Sequence, residues 1–282
     1  MAVDQRTGRV NSGDVSIFYR AFGTASARTP IILLHGSNYY DSYDWIDVAS
    51  ALASDRLVVT PDRRGWGETT WSPSKDYSRD AMIDDVLAVM KATQLNKPIV
   101  IGHSGAGPVV ISFAVNHPDQ LTKLVIVDSQ MNRDEDAVSG PTVGNPPTMF
   151  PSIEACMERF ARINNTPRIG LDRERAVNAL IKLENGYLLK RDPDNGNRKP
   201  IGEAASMPRR PTREMWAELG MVKTPTILIR GTKSDRFPPE TVARFTKEMP
   251  HIPQKTVDSQ HDVARMAPDA MVAHVKEFIG TS

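Results

Sequence analysis

Ile99-Val100-Ile101-Gly102-His103-Ser104-Gly105-Ala106-Gly107 passes within a few residues from a β-branched apolar run to a glycine-rich turn that carries a serine. The run 98–101 (PIVI) has the continuous apolar character of a strand buried on both faces, and 107–117 returns as an apolar helix. Ser104 therefore stands at a strand-to-helix turn, where large side chains two residues to either side would crowd the chain. Gly102 and Ala106 keep those two places small, and Gly107 adds room.

Outward from this bend, short apolar runs alternate with helical spacing. Upstream lie a hairpin arm at 15–21 (VSIFYRA), a buried strand at 31–34 (IILL), a helix at 44–53, a strand at 57–60 (LVVT) and an amphipathic helix at 80–95. Downstream, 121–127 (LTKLVIV) reads as another strand. After a long interruption come a strand at 226–230 (TILIR), a helix at 239–248, a strand at 254–257 and a closing helix at 268–279. Strands alternating with helices predict an α/β fold with a mostly parallel central sheet and helices on both faces. The interruption, rich in Pro, Asn and Gly, holds helical patterns at 152–163 and 172–183 and reads as an inserted, mainly helical lid. The expected division is a core of 1–129 and 223–282 with a lid of 130–222.

Composition narrows the function classes. With 35 Lys+Arg against 34 Asp+Glu the formal charge is +1, which gives no general attraction to nucleic acid or an anionic membrane and points to a small-molecule substrate. The single cysteine, Cys156, rules out an intramolecular disulfide and a cysteine zinc cluster. The first residues lack the apolar stretch of a secretory signal, and no run reaches the length of a membrane span, so a soluble, cytoplasmic protein is expected.

The strand, serine turn and helix at 99–107 resemble the nucleophile elbow of the alpha/beta-hydrolase superfamily, with Ala106 where that pattern usually has a second glycine. The resemblance implies a Ser-acid-His order. Ser104 is then the nucleophile, and His261, in the loop 258–263 after the last strand, is its base. The turn 231–235 (GTKSD) after the preceding strand is similar to the place where the family carries its acid, which makes Asp235 the expected carboxylate. Asp128, at the end of 121–127, is the second candidate, since some members place the acid there. His35-Gly36-Ser37 after the third strand implies backbone oxyanion donors at Ser37 and Gly105. The loop 62–67 (DRRGWG) also resembles a family loop, with Trp66 in place of a common histidine, and is expected to brace the turn rather than touch substrate.

Proximity to the catalytic loops nominates Asn38, Tyr39, Phe237 and Met266 as substrate contacts. The lid adds the apolar, polarizable Met131, Met157, Phe160 and Trp216. Together these features imply hydrolysis of an ester or lactone, or else carbon–carbon bond hydrolysis or perhydrolysis on the same triad, with no cofactor. A non-catalytic binding protein would have no chemical reason to keep the triad. An elbow serine argues against haloalkane dehalogenase and epoxide hydrolase chemistry, which needs an aspartate there. His251 and His261 are too far apart for a zinc-protease helix, and no GxGxxG turn follows the first strand, so neither a metal nor a dinucleotide is expected.

Overall fold

A computed structural model describes residues 4–37, 41–129, 149–164, 171–196 and 214–280. Its central sheet begins with an antiparallel hairpin, β1 (Gln5–Ser12) and β2 (Val15–Phe22). The parallel strands follow: β3 (Ile31–Leu34), β4 (Val58–Pro61), β5 (Ile99–His103) and β6 (Lys123–Val127). Three strands, β7 (Met149–Phe150), β8 (Leu180–Leu183) and β9 (Gly186–Leu189), form a separate antiparallel sheet. The central sheet then resumes with β10 (Thr226–Gly231) and β11 (Gln254–Val257), parallel to β6. Its order is β1-β2-β4-β3-β5-β6-β10-β11. Among the described residues, no helix is long and apolar enough to cross a membrane.

Strand alternation explains why these short runs must be central. Ile32, Leu34, Val100, Leu124, Ile126 and Leu228 point to one face of the sheet, and Ile31, Leu33, Ile99, Ile101, Val125, Val127, Ile227 and Ile229 to the other. The first face is covered by α2 (Arg79–Ala92), α3 (Gly107–Asn116), α6 (Met215–Met221) and α7 (Pro239–Glu248). The second is covered by α1 (Ile46–Leu52), α8 (Val263–Met266) and α9 (Pro268–Ile279). Water is excluded from both faces, and that burial drives the alternating chain into three layers.

The chain order reverses at β3, which has β4 on one side and β5 on the other. A crevice opens beyond the carboxyl ends of strands at such a point. The loop after β4 braces it: Arg63 donates its backbone N–H to His35 Nε2 (3.0 Å), and its guanidinium reaches the His35 carbonyl (3.4 Å) and Ser37 Oγ (3.2 Å). Burial pushes the His35 imidazole down to about 3, so it is the neutral acceptor this contact needs.

The segment between β6 and β10 departs from the helical expectation. Helices α4 (Ile153–Asn164) and α5 (Leu171–Ala179) are joined by the three-stranded sheet around a core of Phe150, Cys156, Met157, Phe160, Ala176, Ala179, Leu180 and Leu189. Residues 180–183, read as the end of a helix, form β8. The segment docks on the main body through polar contacts: Arg175 meets Asp44 (3.4 Å) and Asp47 (3.1 Å), Asn178 donates to Asp41 (2.8 Å), and Lys75 meets Asp192 (3.2 Å). Gly67 N–H donates to the Lys190 carbonyl (2.7 Å), and the Trp66 ring lies between the guanidinium groups of Arg63 (4.8 Å) and Arg191 (5.3 Å). Burial lowers Arg191 to about 10.

α6, which falls inside 130–222, packs with the main core. Trp216 is buried against Phe245 of α7, with ring centroids 6.1 Å apart, and under Arg244 at 4.2 Å. Packing therefore accounts for its burial. Trp216→Ala is expected to cost about 3–5 kcal/mol of stability in urea denaturation, with aryl-ester turnover little changed; unchanged stability with altered substrate preference would contradict this. His35 yields a pH prediction. A histidine that is neutral in the fold takes up a proton on unfolding below pH ~6.5, so stability falls as pH drops from that point towards 3. His35→Gln should therefore lose less stability than wild type between pH 6.5 and 5, by about 1–2 kcal/mol in urea denaturation. Asp262, pushed up to about 7 by burial, acts with the opposite sign in both proteins and cancels in the comparison.

Candidate active site

Ser104 leaves β5 with φ +51°, a conformation L side chains rarely adopt, as the tight bend requires. The bend is held from β6, where Ser129 Oγ donates to the Ser104 carbonyl (2.8 Å). Gly102 is small for a steric reason: a Cβ there would lie 2.7 Å from both Val110 methyl carbons on α3.

His261 reaches Ser104 from the far side of β10. The loop after β11 crosses the end of β10 so closely that a Cβ at Gly231 would stand 2.5 Å from the carbonyl oxygens of Ser259 and Gln260. This crossing brings His261 Nε2 within 2.7 Å of Ser104 Oγ. His103, one residue before Ser104, donates Nε2–H to the His261 carbonyl (3.0 Å), and the two rings lie 4.9 Å apart. Burial, with His261 beside it, holds His103 well below the usual histidine range, so it stays a neutral donor.

The carboxylate on the other imidazole nitrogen is Asp128, and this corrects the expectation of Asp235. His261 Nδ1–H donates to Asp128 Oδ2 at 2.6 Å, and Asp128 is fully buried. Its φ of +41° turns the side chain at the end of β6. Asp235 instead points outwards, with its side chain 73% exposed and paired with Arg236 at 3.4 Å. The reason lies in the turn after β10, which presents Ser234 and the Gly231 amide to Asp128 and leaves the next side chain in solvent. The buried chain Asp128–His261–Ser104 can fix the imidazole tautomer and leave Nε2 free to take the serine proton.

Ser37 and Gly105 lie side by side: a Cβ on Gly105 would be 3.2 Å from the Ser37 amide nitrogen and 2.0 Å from Ser37 Oγ. Ser37 is thus packed against Gly105, the residue that follows Ser104. The expected substrate contacts divide. Asn38, Tyr39 and Met131 lie outside the described residues. Met157 and Phe160 pack inside the inserted segment's own core, Trp216 and Phe237 pack in the main core, and Met266 is half-buried at the end of α8. Ser129, Ser234 and the contact of His103 with the His261 carbonyl were not foreseen. Their signal was adjacency, since each neighbours a residue already singled out.

Known proteins are similar to this chain in sequence or in fold. RutD of Caulobacter sp. strain K31 is 31% identical over 160 residues, 56% of this chain and 53% of that protein. The 2-hydroxymuconate semialdehyde hydrolase of Pseudomonas sp. strain CF600 is 28% identical over 107 residues, 37% of this chain and 38% of that protein. The chain therefore spans about half, or less, of the length of these curated relatives. The crystal structure of E-2-(acetamidomethylene)succinate hydrolase superposes with a TM-score of 0.83 over 98% of this chain and 99% of its own, at 18% identity, a likeness of fold alone. The alpha/beta hydrolase fold model matches residues 29–264, and the chain belongs to that family.

Proposed function

We propose that this hydrolase cleaves a carboxylic ester or lactone of a small, partly hydrophobic substrate through the triad Ser104, His261 and Asp128. The observation that carries the reading is the unbroken hydrogen-bond chain from Asp128 Oδ2 through His261 to Ser104 Oγ. His261 accepts the serine proton as Oγ attacks the carbonyl carbon, and the negative charge that forms on the carbonyl oxygen is met by the Ser37 and Gly105 amides. The imidazolium then protonates the leaving alkoxide, giving an acyl ester on Ser104. In the second half His261 takes a proton from water, hydroxide adds to the acyl carbon, and collapse returns the proton to Oγ and releases the acid. Asp128 keeps its charge throughout and stabilises the imidazolium, a contact strengthened by its burial.

The inserted segment, held by ion pairs on the stretch after β3 (Arg175 with Asp44) and on the loop after β4 (Lys75 with Asp192), is proposed as a lid over this crevice. A second reading, carbon–carbon bond hydrolysis on the same triad, is favoured by the similarity to 2-hydroxymuconate semialdehyde hydrolase. A panel of aryl esters, lactones and vinylogous diketones separates the two, since only one class will be turned over with the higher kcat/KM.

For the hydrolysis of 4-nitrophenyl butyrate, Ser104→Ala should lower kcat by at least about 10⁴-fold and abolish labelling by a fluorophosphonate. Asp128→Asn should lower kcat by about 10³- to 10⁴-fold, while Asp235→Asn stays within about twofold of wild type. A loss of activity in Asp235→Asn with Asp128→Asn unimpaired would reverse the assignment.

A further inference from the structure

Asp128 receives more donors than its histidine supplies. Its Oδ1 accepts the Gly231 N–H at 2.9 Å, and its Oδ2 accepts both His261 Nδ1–H at 2.6 Å and the hydroxyl of Ser234 at 2.5 Å. The direction of the serine proton is fixed, because Ser234 Oγ itself accepts the Arg236 N–H at 3.1 Å and so turns its hydrogen to the carboxylate. Ser234 is only half-buried, on the turn after β10, yet it bonds the one oxygen of a fully buried acid that also serves the imidazole.

From this we propose that Ser234 is a positioning residue of the triad, which holds the Asp128 rotamer and shares the oxygen that binds His261, thereby setting how strongly the acid draws on the imidazole proton. The inference rests on the Ser104–His261–Asp128 reading. Two donors on one oxygen compete for its charge. With the hydroxyl removed, Asp128 is less firmly oriented, which slows the chemical step, and it presents more charge to Nδ1–H, which tightens its hold on the imidazolium formed during turnover. A hydroxyl that only stiffened the turn would do neither.

Among the described residues, ionisable groups beside His261 include His103, at the end of β5, and Asp262, the next residue, which pairs with Arg265 at 3.6 Å. Both are the same in wild type and in a Ser234 variant. Position 234 also lies where a carboxylate could replace Asp128: its Oγ is one hydrogen bond from Oδ2, and an aspartate reaches one bond further. Glycine is the suitable partner at 128, because the backbone there has φ +41°.

The test uses the full chain with 4-nitrophenyl acetate as probe, following kcat and KM across pH, with thermal melts to confirm folding. Ser234→Ala is expected to lower kcat about tenfold with KM within about twofold, and to move the acid limb of kcat/KM up by about half a pH unit. Ser234→Thr restores both, and Asp128→Gly/Ser234→Asp exceeds Asp128→Gly alone by at least about tenfold. A Ser234→Ala enzyme with wild-type kcat and pH profile, or a double variant no better than Asp128→Gly, overturns the role of Ser234. Full activity in Asp128→Gly alone overturns instead the triad on which it rests.

Discussion

The imidazole of His261 is held at both nitrogens at once, by Ser104 Oγ at 2.7 Å and Asp128 Oδ2 at 2.6 Å, and three strand ends must converge for this to occur. Ser104 ends β5, Asp128 ends β6, and His261 comes from beyond β11, two strands further along the sheet. The loop that carries it must therefore cross the end of β10. Gly231 has no side chain to obstruct that crossing, and its amide bonds the same aspartate. Both residues that end the strands, Ser104 and Asp128, take positive φ, so the backbone on each side of the imidazole is bent out of its ordinary range to aim a side chain. Strain of this kind, of the order of 1–3 kcal/mol per residue, persists only where surrounding packing enforces it, and here both strands are buried on both faces.

A second set of contacts ties the inserted segment to the same machinery. The loop after β4 holds His35 and Ser37 through Arg63, while the next residues carry the segment through Gly65, Trp66 and Gly67. One loop thus couples the candidate oxyanion amides to the element proposed as a lid. That loop holds the buried Asp192 through Lys75, and the stretch after β3 adds a second polar contact through the buried pair of Arg175 and Asp44. Such pairs are costly to break singly, since a lone buried charge remains, and they fix one orientation of the segment rather than adding much net stability.

Much of this was legible in the sequence because strong local signals and global placement agreed. The apolar runs of β3, β5 and β6 read as central strands, and the resemblance of the bend at Ser104 to a nucleophile elbow, with its implied order, pointed to Ser104 and to His261 after the last strand. The carboxylate paired with His261 was misplaced because two strand ends converge on one point, and sequence order does not say which of them delivers the side chain; the backbone turn at Asp128 brings its carboxylate to the imidazole. Residues 180–183 were read as helix because Leu180 and Leu183 fit helical spacing. The two-residue turn Glu184-Asn185 that follows joins β8 to β9, with Leu183 paired to Gly186, and strand pairing outweighs that spacing. Trp216 looked like a ligand contact because it is large and apolar, but it fills a gap between α3 and α7, which only the tertiary packing reveals.

The pairing of His261 with Asp128 can be observed without any substrate. A proton held between Nδ1 and a buried carboxylate gives a far-downfield ¹H NMR resonance coupled to ¹⁵N in histidine-labelled protein. The structure predicts such a signal in wild type and in Asp235→Asn, lost or moved sharply upfield in Asp128→Asn. A downfield signal that survives in Asp128→Asn and vanishes in Asp235→Asn would contradict the account at its centre.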